Sequence, residues 1–293
     1  MTTHLLSKAV SIQGIVHTKK NNFYKFNFLL NRNGNTIDEL VSNIDSTWKE
    51  FYNSAVLINT NFDKSKYNTS FSYNLESPEQ KKIALIGIEE FKKLIPYVLI
   101  FIPKIDSIQI IDNTKSSNTT FINNHKIIDK FIIPIVKKEN DIKSIIHILK
   151  YSGENTTIAC EVKKKENNYH FVNIDNIPKI FCDFPLIGTE KFHLPIIVNS
   201  FHFNPQTERD GIWLKGVDDE EVIENQKLLT EAINLYKELL PQISDINFLD
   251  FYNIIETRMP HTSEKYFDAL WYKESIQNVL RKFIQTQNIV EVP

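Results

Sequence analysis

Residues 195–214 read P-I-I-V-N-S-F-H-F-N-P-Q-T-E-R-D-G-I-W-L. Strand-forming residues, Ile196 to Val198, lead into a polar loop that carries Arg209 within Glu208-Arg209-Asp210, and an apolar stretch, Gly211 to Leu214, leaves it. That pattern presents one arginine from a rigid support. A guanidinium held so is suited to a phosphate or a carboxylate, because its planar fork of donors is always charged and matches paired oxygens.

Upstream of this segment, from Ser107 to about Asp175, strands follow at short intervals, including Ile145 to Tyr151, Thr157 to Lys163 and Tyr169 to Ile174. The links Ser152 to Asn155 and Lys164 to Asn168 are hairpin-like, which predicts an antiparallel sheet. Downstream the chain turns helical. Asp218 and Glu221 form a capping pair ahead of Val222, Leu229, Ile233, Tyr236 and Leu240, and Ile276, Val279, Leu280, Phe283 and Ile284 mark a last amphipathic helix.

The first third reads as alternating strands and helices. Val10 to Val16 and Phe23 to Leu30 form a hairpin. Thr36 caps a helix, with Glu39 completing a capping box, and Ile37, Leu40, Val41, Ile44, Trp48, Phe51 and Tyr52 fall on one helical face. Tyr67 to Leu75 alternates as a half-buried strand does, Ser77-Pro78 starts a second helix, and Ala84, Ile88, Phe91 and Ile95 form its buried stripe. The apolar run Tyr97 to Ile102, bounded by Pro96 and Pro103, reads as a strand in a sheet interior. The fold class expected is α+β, with domains at 1–104, 105–216 and a helical segment at 217–293.

Composition excludes several classes. With 293 residues and a net charge of −2, the chain can bury a sizeable core but has no overall basic field for nucleic acid or an anionic membrane. Lys163-Lys164-Lys165 and Lys137-Lys138 read as local basic spots at hairpin ends in water. Seven glycines leave no room for glycine-rich phosphate loops, and no G-x-G-x-x-G or G-x-x-x-x-G-K-[ST] occurs. Cys160 and Cys182 stand alone, which argues for a reducing compartment, the cytoplasm by default. No signal peptide or membrane-spanning run is visible. His193 and His202 flank the 196–198 strand without a ligand-spacing signature, so no metal site is expected. Phe201, Phe203 and Trp213 read as core packing around the arginine loop, and Asn199 as a residue that satisfies backbone groups in a turn.

Three motifs carry a resemblance. Met1 to Lys8 followed by A-V-S-I-Q-G-I-V looks like the helix and strand after a G-x-G-F glycine box, and Tyr67-Asn68-Thr69-Ser70-Phe71 is similar to a Gly-Thr strand. The segment P-I-I-V-N-S with its following loop is the third, preceded by Phe181 to Thr189, F-C-D-F-P-L-I-G-T. On these, the chain resembles the GHKL ATPases, within them the heat-shock protein 90 and sacsin-like branch. The resemblance implies part of a Bergerat-type nucleotide domain, then a transducer-like β/α middle domain and C-terminal helices. It places Thr69 beside the adenine and Arg209 on the γ-phosphate, with ATP and magnesium as the cofactors of the complete protein and none expected for this chain alone.

The departures set the expected activity. The helix with the general-base glutamate and the magnesium-binding asparagine, the D-x-G-x-G site and the glycine box would all lie before residue 1, and Asn68 stands where glycine is usual. The implied partner is an N-terminal half or a second copy of the chain, and hydrolysis by this chain alone is not expected, since Arg209 supplies only a cation to the developing charge. Two readings stay open beside this one. Arg209 could instead pair with Glu208, Asp210 or the Asp218 to Glu221 cluster, and the whole could be a non-catalytic interaction module on the transducer scaffold, with RNA binding more remote.

Overall fold

A computed structural model describes residues 7–18, 22–58, 68–216, 219–244, 247–261 and 265–287. The fold is mixed α+β with two separate sheets, and the chain divides into two compact units, Met1–Phe91 and Lys92–Pro293. Among the described residues no helix is long and apolar enough to cross a membrane.

The first unit holds β1 (Ala9–His17), β2 (Phe23–Asn31), α1 (Ile37–Ser54), β3 (Val56–Ile58) and β4 (Thr69–Tyr73), its sheet antiparallel in the order β3-β2-β1-β4. Thr36 caps α1 by accepting from the Glu39 N–H, while the Glu39 carboxylate reaches one residue further back, to the Asn35 N–H. Short β3 pairs only with Phe23, Tyr24 and Lys25, and α1 serves the rest of the β2 edge with side chains. The Asn31 N–H donates to Thr47 Oγ1, which donates to Leu29 O, and the Asn27 N–H donates to Ser54 Oγ. A helix thus occupies hydrogen-bonding sites that would otherwise template another strand. The apolar face of α1 divides into two rows. Phe51 packs its ring at 5.4 Å from Phe26 and 5.2 Å from Phe28. Ile37, Val41, Trp48 and Tyr52 form an outer row that is exposed, Trp48 by 56%.

Helix α2 (Pro78–Phe101) starts with Ser77 accepting from the Gln80 N–H and Gln80 accepting in return from the Ser77 N–H. It ends in the second unit, and this corrects the strand expected at Tyr97 to Ile102. Every residue from Leu94 to Phe101 is buried, so the run is apolar on all sides and carries no period that separates helix from strand. Pro96 inside the helix costs about 3 kcal/mol. Burial of Leu94, Ile95, Val98, Leu99 and Ile100, at about 1.5–3 kcal/mol each, outweighs it.

The second sheet comprises β5 (Ser107–Asp112), β6 (Ser117–Asn123), β7 (Ile132–Glu139), β8 (Ile142–Ser152), β9 (Thr157–Lys165), β10 (Asn168–Phe171), β11 (Ile180–Cys182), β12 (Phe184–Pro185), β13 (Ile197–Asn199) and β14 (Phe248–Leu249). Its main path is β12-β11-β13-β9-β8-β7-β6-β5, with β10 joining β9 and, in parallel, β14. The end of α2 lies on one face: Phe181 sits between Tyr97 and Phe101, Asn123 Nδ2 donates to Leu99 O, and Lys150 Nζ donates to Ile100 O. The other face packs Leu149, Cys160 and Val162 against Leu229, Ile233, Tyr236 and Leu240 of α3 (Glu220–Ser244). Asp219 caps α3 by accepting from the Glu221 N–H, while Asp218 lies outside the described residues. The last helix, α4 (Ala269–Tyr272) continued through a π-turn into α5 (Asn278–Ile284), buries Tyr272, Ile276 and Leu280 in this same core.

These two environments predict opposite costs. Phe181→Ala should lower stability by about 3–5 kcal/mol, whereas Trp48→Ala should change it by less than about 1 kcal/mol. Urea unfolding of the two variants checks this, and a large loss in Trp48→Ala would place the outer row of α1 in a core.

Candidate functional site: the arginine loop

Strand β13 is the support the sequence predicts. Its three residues are buried between β11, which it joins in parallel, and β9, which it joins antiparallel. At its end Asn199 accepts from the Asp183 N–H, closing the tight turn between β11 and β12. Ser200 Oγ donates to Asn155 O and accepts from the His202 N–H, fixing where the chain leaves the sheet.

The loop itself is a small closed hairpin. Pro205 and Ile212 bridge, the Gln206 N–H donates to Gly211 O, and the Arg209 N–H donates to Gln206 O. Buried Gln206 fills the inside, its Nε2 donating to Ile212 O. Thr207, Glu208, Arg209 and Asp210 are exposed at the tip, and Arg209 lies in the left-handed region at φ 55°. Gly188, at φ 117°, lets the tip approach, since a Cβ there would stand 3.0 Å from Asp210 O.

One side chain of α3 clamps the loop base. Asn225 is 0% exposed, accepts from the Asn204 N–H, and donates through Nδ2 to Asn204 O and Trp213 O, all at 2.8–2.9 Å. Asn204 Nδ2 donates to Glu224, and the Leu214 N–H donates to Tyr266 O. Glu231 holds the neighbouring Asn155–Thr156 turn with four hydrogen bonds. Burial pushes the pKa of Glu231 up, but those bonds prevail and hold it below the usual range.

The guanidinium of Arg209 makes no ion pair with Glu208 or Asp210 among the described residues. It lies beside the Cys182 thiol, whose pKa burial raises and Asp183 raises further, against the opposing pull of Arg209. The Arg209 guanidinium donates a hydrogen bond toward that thiol, with the Asp183 carboxylate close by. The open groove between the loop and α3, about 590 Å³, carries Glu220, Glu224 and Glu231 against Lys227, which repels a polyphosphate.

Thr69 lies in the first unit, exposed at the start of β4 opposite Gly14. The absence of a Cβ at Gly14 allows that approach, because one would stand 3.1 Å from Thr69 Oγ1. His193 meets His261 edge-on at 5.9 Å, and His202 meets Phe201. Among the described residues no group of three or more His, Cys, Asp or Glu could hold a metal ion. Of the aromatic trio, Phe203 is core, Trp213 packs on Tyr266, and Phe201 is exposed, contrary to the packing expected of it. Lys179, 1% exposed at the start of β11, donates to Ile174 O and Ile177 O. Burial pulls its pKa down to about 8, against Asp175, Glu190 and Glu256.

The sequence reading missed Asn225, Gln206 and Lys179. For Asn225 a signal existed: it interrupts the apolar stripe Val222, Leu229, Ala232, Ile233, Tyr236 at a position that faces the core. No family model, no curated protein and no solved structure matches the chain.

Three outcomes follow from this geometry. Asn225→Ala strands three backbone partners and should cost about 3 kcal/mol, whereas Arg209→Gly should stabilise by about 0.5–1 kcal/mol by relieving the left-handed backbone. Native Lys179 releases its proton near pH 8 and an unfolded lysine near 10.5, so the unfolded state binds more protons between those values. Wild type should therefore gain stability relative to Lys179→Met as pH rises from 8 through that window, and a flat difference would remove the buried charge from the account.

Proposed function

We propose that this chain is the transducer-side portion of a GHKL-type, heat-shock-90 and sacsin-like ATP-binding protein, in which Arg209 senses the terminal phosphate. The observation that carries the reading is an exposed arginine without a described carboxylate partner, at the tip of a loop clamped by buried Asn225 and Gln206.

The donor set fits one phosphoryl group. A planar guanidinium offers paired donors to paired oxygens, while the described residues offer no group of three or more His, Cys, Asp or Glu that could hold a metal ion. ATP with its magnesium supplies the polyphosphate and its counter-charge. Arg209 binds and orients the terminal oxygens, and the clamp passes the loop position to α3 through Asn225. On this reading the remaining nucleotide contacts come from residues other than those of the arginine loop.

The chain alone should show no ATP turnover. Joined to a preceding nucleotide-binding segment it should turn over ATP, and Arg209→Ala should then lower kcat by about 10³-fold with little change in stability. Normal hydrolysis by the joined Arg209→Ala protein would show that the arginine has no such role.

A further inference from the structure

The two basic runs of the sequence, Lys137-Lys138 and Lys163-Lys164-Lys165, come together at one end of the second sheet. The ladder between β8 and β9 ends at His147–Val162, and Val162 pairs also with Phe171 of β10. Beyond that point the sheet forks. The β7–β8 tip carries Lys137, Lys138 and Lys143 on one arm, with Lys138 directly opposite Lys143, and the β9–β10 tip carries Lys163, Lys164 and Lys165 on the other.

Strand alternation sorts the side chains. Lys138, Lys143, Ile145 and His147 share a face of β7 and β8, and Val162, Lys164 and Tyr169 share the continuing face of β9 and β10. His147 and Tyr169 touch edge to face at 5.9 Å and Lys164 lies 5.3 Å over the Tyr169 ring, so the two arms meet at the stem. Six lysines stand against the tip carboxylates Glu139, Asp141 and Glu166, of which Glu139 pairs with Lys137, while Asp129 on the Tyr169 hydroxyl and Glu161 near Lys163 lie closer to the stem. Ile145 is 51% exposed on this face, and Ile142 is 76% exposed at the very tip on the opposite one, where Lys137, Lys163 and Lys165 also lie, so the fork meets a partner end-on.

Lysine and isoleucine together select the partner. A nucleic acid is met by arginine forks and exposed rings, and this fork has no arginine while Tyr169 is buried. Exposed isoleucines gain nothing on a phosphate backbone but gain burial at a headgroup and acyl boundary, where lysines meet anionic lipid. We propose that this fork docks on an anionic lipid membrane, its lysines held by charge and Ile142 and Ile145 by insertion at the headgroup boundary. The surface is independent of the arginine loop and of the ATP reading.

Co-sedimentation of the purified chain with vesicles tests this, using phosphatidylcholine alone and phosphatidylcholine mixed equally with phosphatidylserine. Binding is expected to the mixed vesicles only, weakening with salt. Lys163→Glu/Lys164→Glu/Lys165→Glu should lower the partition coefficient by at least about 10-fold, and Ile142→Ser by roughly 10-fold. The milder Lys163→Gln/Lys164→Gln/Lys165→Gln variant, with its circular dichroism melt unchanged, should lie between. Equal binding to neutral vesicles, no binding to either, indifference to both sets of substitutions, or tighter binding to single-stranded RNA than to vesicles would each overturn the proposal.

Discussion

One buried carboxamide ties the arginine loop to the body of the second unit. Asn225 faces the core from α3 and satisfies three backbone groups at the loop base, on Asn204 and Trp213. A buried amide with all partners in place is specific, because any other position of the loop leaves donors and acceptors unpaired at about 1–3 kcal/mol each. Everything distal depends on it. The Pro205–Ile212 bridge, the Gln206 filling and the left-handed Arg209 are local devices that need a fixed base.

Local chemistry was the most legible part of this fold. Thr36 and Ser77-Pro78 start helices where they stand, and the 9–31 hairpin and the strands from 142 to 171 follow from alternation and turn residues. What failed was the reading of a long apolar run. Leu94 to Phe101 is surrounded on all sides, and a segment buried all round shows neither helical nor strand period, so Pro96 and Pro103 look like strand boundaries in the sequence. The α1 stripe is a different case. Its period is helical, as expected, but periodicity does not reveal how wide a face the neighbouring sheet covers, and Trp48 and Tyr52 lie beyond that cover.

At the site, the strand and its arginine were legible and the support was not. Gln206 reads as an ordinary loop polar, and only the closure of the hairpin around it makes it a buried filling. Lys179 sits between Pro178 and Ile180 with nothing in the sequence to show that its ammonium is spent on the carbonyls of Ile174 and Ile177. The basic runs show the same limit. They lie 25 residues apart, from 138 to 163, and only strand register brings them to one fork.

Arg209 is presented by a rigid base rather than by a loop that fluctuates freely. Native-state amide hydrogen exchange at Asn204 and Leu214 measures this directly, since their N–H groups donate to Asn225 Oδ1 and Tyr266 O. Protection comparable with that of the core amides of α3 is expected. Exchange of both amides at rates typical of an open loop would contradict it.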